Sequence, residues 1–176
     1  MKMKNRNKFY VVEGVDTSGK SSISKLLKER LCAVSPQIKI EEEPDKSVIY
    51  DQKFYRSLVK KFSEKIKELV EKNDVVQERY IYSNIVNEFL LEGKINKIPK
   101  DIIKPDKIIY LTADLYEIER RFKKRKKRSK RECIENVRKM MKVYEKILPK
   151  NKTIKINTTN RDPENAVNEI IERLDK

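Results

Sequence analysis

Residues Gly14 to Ser21 read GVDTSGKS: two glycines five positions apart, then a lysine and a hydroxyl side chain. This fits G-x-x-x-x-G-K-[ST] in full, the pattern of a loop that cradles nucleotide phosphates. Each residue type has a task there. Gly14 and Gly19 let the backbone bend close to an anion, and successive N–H groups converge on it as a nest. Lys20 supplies a point charge for the β and γ phosphates, and the Ser21 hydroxyl can ligate Mg²⁺. The phosphate-binding span is therefore Gly14, Val15, Asp16, Thr17, Ser18, Gly19, Lys20, Ser21 and Ser22.

A second group of chemically able residues is Glu78-Arg79-Tyr80. A carboxylate at the end of a strand can hold a metal ion's water shell, and an arginine beside it can clamp a phosphate bidentately. On its own this triplet reads as an ordinary ion pair. Following a phosphate-binding loop, it reads as a second wall of the same site. A third feature is charge. The chain has 176 residues and a net charge of +15, and ten of the twelve residues from Arg120 to Arg131 are Lys or Arg. Without those ten the remainder carries +5, so the basic character is largely local and points to one polyanion-binding element.

Other chemistries are excluded. The chain has no histidine, which removes His-based triads and His-ligated zinc. Cys32 and Cys133 match no metal-ligand spacing and read as structural or incidental, as small buried hydrophobes. No apolar run approaches the ~20 residues that span a bilayer. The basic start is followed by only a short apolar stretch, Phe9 to Val12, far too short for a secretory signal. These features predict an intracellular, cytoplasmic protein without a membrane partner.

The elements that must position these residues follow from hydrophobic periodicity. Short apolar strands are predicted at Lys8–Glu13, Gln37–Glu42, Asp74–Glu78, Lys107–Leu111 and Thr153–Asn157. Helices are predicted from Lys20 to about Pro36, from Phe54 to about Asn73, from Ile81 to Gly93, from Asp114, over Ile134–Leu148, and from Pro163 onward. Asp114 with Glu117 suggests a capping box, and Asp162 with Pro163 an N-cap and N1 pair. Strands alternating with helices imply a single α/β domain over 1–176: a three-layer P-loop fold whose five-stranded parallel sheet carries helices on both faces.

At these residues the chain resembles the thymidylate kinase family. EGVDTSGKSS (Glu13 to Ser22) is similar to that family's E-G-x-D-x-[SA]-G-K-[ST]-[ST], and VVQERYIYS (Val75 to Ser83) resembles its strand ending in D-R-Y. Glu43-Pro44 and Pro105-Asp106 are similar to its E-P and P-D pairs. The resemblance implies ATP and Mg²⁺ as cofactors, with Ser21 and Glu78 at the metal, and a nucleoside monophosphate as acceptor. It implies that Asp16 contacts the acceptor sugar's 3′-hydroxyl and Arg79 its phosphate, with Glu43 and Pro44 nearby. Phe54 would stack on the base, with core packing as the competing reading, and Tyr82 would line the sugar pocket, again against plain packing. The basic run would be a lid over about 123–132. Thr17 stands where one branch of the family has a basic residue, so Arg125, Arg128 or Arg131 would join Lys20 in catalysis. A homodimer is also implied.

The chain departs from the family pattern on the acceptor side. Only nine residues separate Pro44 from Phe54, a stretch that is usually longer and carries an acceptor-binding arginine; Lys46 or Arg56 would have to substitute. Glu78 replaces the usual Asp, and Leu58 stands where a base-reading arginine is usual. Three readings follow: phosphoryl transfer from ATP to dTMP; the same chemistry on another nucleotide or a nucleoside; or a nucleotide-binding protein whose basic run grips RNA or DNA. The last is disfavoured because Phe122 is the one aromatic in the run.

Overall fold

A computed structural model of the chain describes residues 7–37, 52–125 and 133–174. Its strands are β1 (Phe9–Gly14), β2 (Val75–Glu78), β3 (Lys107–Thr112) and β4 (Thr153–Asn157). They form one parallel sheet in the order β2-β1-β3-β4. The helices are α1 (Lys20–Leu31), α2 (Gln52–Leu69), α3 (Ile81–Glu92), α4 (Leu115–Lys123), α5 (Ile134–Ile147) and α6 (Pro163–Leu174).

The strands are apolar on both faces because helices cover both. In β1, Phe9 and Val11 enter one core with Ile108 and Tyr110 of β3. Tyr10 and Val12 enter the other with Ile109 and Leu111. This is the period-2 alternation of a strand between two layers. The first core is closed by α2, α3, α4 and α5, the second by α1 and α6. The α/β three-layer fold is thus as expected, but the described residues give four strands, not five. The predicted strand Gln37–Glu42 lies outside them except for Gln37, which is irregular. Just before it, Val34 makes a parallel bridge to Val75 on the side of β2 away from β1.

Two helix starts show what the sequence could and could not specify. Asp162 caps α6 as expected, its Oδ1 accepting the Glu164 N–H at 2.8 Å. Asp114 precedes α4 but makes no side-chain cap. Its box partner Glu117 is taken by Arg120 (2.7 and 2.8 Å) and Arg121 (2.7 Å), two charged donors that outcompete a neutral backbone N–H. Cys32 is a second departure: it is exposed and ends α1 in the left-handed conformation, φ 49°, while Cys133 is half-buried. Neither is the buried hydrophobe expected. Among the described residues no helix is long and apolar enough to cross a membrane.

Order and register place the site. β1 lies between β2 and β3, so successive connections leave it in opposite directions, and a crevice opens at the strands' C-terminal ends. Register sets Val12 beside Glu78 and Gly14 beside Leu111, which brings the phosphate-binding loop and the Glu78-Arg79 pair to one edge.

Candidate active site

The loop from Gly14 to Gly19 connects β1 to α1 in the shape its glycines permit. Gly14 has φ 148°, and a Cβ there would lie 2.5 Å from the Leu111 carbonyl oxygen and 2.7 Å from Ser18 Oγ. Only glycine fits, and the loop is thereby pressed against β3. Gly19 precedes α1 in the left-handed region at φ 92°. The free N–H groups of the first turn of α1, and the positive end of its dipole, then face the crevice. Thr17 is also left-handed, φ 63°. Thr17 Oγ1 and Ser18 Oγ are buried without a hydrogen-bond partner among the described residues.

Lys20 is buried, and its ammonium donates to the Val15 carbonyl at 2.6 Å. Burial pulls its pKa down to about 7, and the charge of Arg79 pulls the same way, against the opposing pull of Asp16, Glu78 and Glu13. Such an ammonium lacks a full counter-charge, which a polyphosphate would supply. Ser21 Oγ donates to Glu78 Oε1 at 2.9 Å, so the two residues expected at the metal already touch. Arg79 does not pair with its neighbour Glu78. It ion-pairs with Asp16 of the loop, and its backbone is left-handed at φ 58°. Gln77 holds that turn by donating to the carbonyls of Glu78 (2.7 Å) and Arg79 (3.1 Å).

Around these groups lies a cleft of about 460 Å³. Among the described residues, six cationic side chains line it, Lys20, Arg79, Arg121, Lys124, Arg125 and Arg161, with two carboxylates, Asp16 and Glu78. Ser22 also lines it. The surplus of positive charge suits a polyphosphate. Arg121 joins three elements. It donates to the Thr17 carbonyl (2.8 Å), to the Thr158 carbonyl (2.7 Å) and hydroxyl (3.1 Å), and to Glu117. The base of the basic segment is thereby latched to the phosphate loop and to the turn after β4.

Several expected residues are elsewhere. Tyr82 is buried and lines a separate cavity of about 280 Å³ with Ile102, Pro105 and Lys152. It does not line the phosphate cleft because the first turn of α3 points it into the core beneath that helix. Phe54 does not line the cleft either; it sits half-buried on α2, edge-on to Tyr55 with ring centroids 5.2 Å apart. Arg56, a candidate substitute for the acceptor arginine, is held by Glu88 through two bonds of 2.6 and 2.8 Å. Glu43, Pro44, Lys46, Arg128 and Arg131, with most of the lid at 123–132, lie outside the described residues.

Other site residues escaped the sequence reading. Arg121 carried a readable signal, its spacing of four from Glu117, but was lost among its basic neighbours. Thr158 and Arg161 carried none, since they enter the cleft only through the position of β4 beside β3. Glu13 had a strong one: an acid ending an otherwise apolar strand. It is wholly buried.

A parallel sheet with this phosphate loop, a hydroxyl–carboxylate pair beside it and an arginine across from it defines a P-loop nucleotide kinase. Comparison with known proteins narrows the class. The family model described as thymidylate kinase matches residues 50–170. A probable thymidylate kinase of Methanococcus maripaludis (strain C7) is 32% identical over 96% of this chain and 95% of its own. One from Methanocaldococcus jannaschii is 30% identical over 94% of both. The chain belongs to the thymidylate kinase family, and so to the ATP-dependent nucleoside monophosphate kinases. The fold agrees: thymidylate kinase from Candida albicans superposes with TM-score 0.74 at 20% identity, over 97% of this chain and 92% of that one. Deoxyadenosine kinase from M. mycoides with bound dATP gives 0.64 at 17%, over 96% and 100%.

Proposed function

We propose that this protein transfers the γ-phosphoryl group of ATP to dTMP, yielding ADP and dTDP, in the cytoplasm. The observation that carries the proposal is the pairing across the crevice: Arg79, after β2, is held against Asp16 inside the phosphate loop that leads to Lys20. Donor and acceptor phosphates would meet there. An oxygen of the acceptor's phosphate attacks the γ-phosphorus, the bond to the β-phosphate oxygen breaks, and ADP leaves. Such a transfer asks the protein mainly for positioning and charge neutralisation.

The loop fits its donor. The cradle tolerates no side chain at Gly14, and the orphaned hydroxyls of Thr17 and Ser18 face no partner among the described residues. Val15 and Thr17 to Ser22 would wrap the phosphates, with Lys20 leaving the Val15 carbonyl for them. Ser21 and Glu78 would hold Mg²⁺, which when bound neutralises phosphate charge. Among the described residues no cluster of three or more His, Cys, Asp or Glu could hold a metal alone. A magnesium ion carried in on phosphates needs only one or two protein ligands. Asp16 would take the acceptor's 3′-hydroxyl and Arg79 its phosphate. Lys124 and Arg125 line the cleft, which supports a nucleotide over a nucleic acid as the partner of this part of the basic segment.

A second reading keeps the kinase and changes the acceptor, to another nucleotide or a nucleoside. Leu58 in place of a base-reading arginine favours it, as does the engagement of Arg56 by Glu88. A coupled ADP-release assay across dTMP, dUMP, dCMP, dGMP and dAMP, extended to the nucleosides, decides between the two. Turnover fastest with dTMP supports the first; turnover on other acceptors with none on dTMP supports the second.

A further inference from the structure

Glu13 is the penultimate residue of β1, just before Gly14 opens the phosphate loop, and its side chain is wholly buried. A carboxylate in such a place is costly unless its lone pairs are filled. Here they are filled from three elements. Oε1 accepts the backbone N–H groups of Tyr80 (2.9 Å) and Ser83 (3.4 Å). Oε2 accepts the Ser83 hydroxyl and the Tyr144 hydroxyl, the latter at 3.3 Å. Tyr144 belongs to α5, which follows the basic segment, and its oxygen also lies 3.5 Å from the Gly14 carbonyl.

The two backbone bonds have a specific effect. α3 begins after Tyr80, which makes no side-chain cap. Glu13 supplies from the neighbouring strand the acceptor that an N-cap would supply, and sets a negative group at the positive end of α3. Arg79 is the next residue back, in a left-handed conformation that a long side chain adopts only when its surroundings impose it. Gln77 pins the carbonyl side of that turn and Glu13 pins the amide side. With both in place, the Arg79 guanidinium meets Asp16.

We propose that Glu13 is a positioning residue for the acceptor side of the site: it holds the Glu78–Tyr80 turn so that Arg79 stands over the phosphate loop, and Tyr144 ties α5 to the same carboxylate. Glu13 does not line the cleft. Its action passes through Arg79, so its loss weakens the acceptor's binding and spares the donor's. The inference rests on the kinase reading.

The test measures KM for the preferred acceptor, KM for ATP, kcat and thermal melting for the wild type, Glu13→Gln, Glu13→Ala and Tyr144→Phe. Glutamine keeps one oxygen for the Tyr80 and Ser83 amides, and the two hydroxyls can turn to accept from its NH₂. Acceptor KM is expected to rise about threefold in Tyr144→Phe and Glu13→Gln and about tenfold or more in Glu13→Ala, with ATP KM within about twofold of wild type. A merely structural role would lower kcat through loss of active protein and leave both KM values unchanged; that result overturns the proposal, as does an equal rise in both. If Glu13→Ala does not fold, Tyr144→Phe decides, since it removes one donor and keeps the carboxylate. A wild type without turnover on any acceptor overturns both readings. An active wild type beside variants of unaltered acceptor KM overturns this one alone.

Discussion

In the proposed transfer the chemistry turns on Lys20, and its environment makes two predictions. Lys20→Ala removes the one ammonium inside the phosphate loop and is expected to lower kcat by about 100- to 1,000-fold, read by steady-state ADP release. The second concerns protons. The folded protein holds Lys20 at about 7, against 10.5 ordinarily, because burial and then Arg79 disfavour its charge. Between those values the unfolded chain binds a proton that the folded one lacks, so this residue's contribution to stability rises with pH across that window. Phosphate binding restores the charge. ATP should therefore bind with proton uptake near pH 8, and its affinity should fall as pH rises through 7. Calorimetry in two buffers of different ionisation enthalpy measures the uptake; buffer-independent heats would contradict it. The loop residues were legible because each is dictated by contact with a phosphate and they are contiguous. Tyr82 was expected at the sugar pocket by similarity of position, and the turn of α3 that buries it away from the phosphate cleft leaves no local mark.

Elements act on the site through their ends. Gly14 stands where β1, the phosphate loop and β3 converge, with a backbone carbonyl 2.5 Å from where a Cβ would be. Gly14→Ala is expected to cost about 1–3 kcal/mol, since the obstacle is the β3 backbone and not a pliable side chain. A urea midpoint equal to wild type would contradict that packing. Arg121→Ala unlatches α4: the Thr17 and Thr158 carbonyls lose the guanidinium, the Thr158 carbonyl retaining the longer Arg161 N–H bond at 3.3 Å, and Glu117 keeps Arg120 alone. A loss of about 1–3 kcal/mol is expected in the same titration. Glu117 adds an acid signature. The Arg120 hydrogen bond lowers its pKa to about 2, burial opposes this, and Arg121 adds to the lowering. Its contribution is present above the ordinary value of 4.5 and lost as pH falls through 2, so wild type should lose more stability over that window than Glu117→Gln. The sequence suggested a capping box at Asp114 and Glu117 because the spacing allows it. It could not show that two arginines, three and four residues on, would take the carboxylate first.

At the scale of the molecule, the strand order β2-β1-β3-β4 was not legible, but the parallel α/β layering was, since strands apolar on both faces alternate with amphipathic helices. That layering suffices to put every strand's C-terminal end on one side and so to gather residues far apart in sequence: Lys20, Glu78, Arg79, Arg121 and Thr158. The expected acceptor arginine had no such anchor. Lys46 and Arg56 were the substitutes named: Arg56 is engaged by Glu88, and Lys46 lies outside the described residues. The central claim is that the charged crevice formed by these ends carries phosphate from one nucleotide to another. It is tested most directly by incubating the protein with magnesium, ATP labelled in the γ-phosphate, and dTMP, and separating the products. The account predicts label in dTDP, equal in amount to the ADP formed and absent with Lys20→Ala. Label found only in inorganic phosphate, or remaining in ATP, would contradict it.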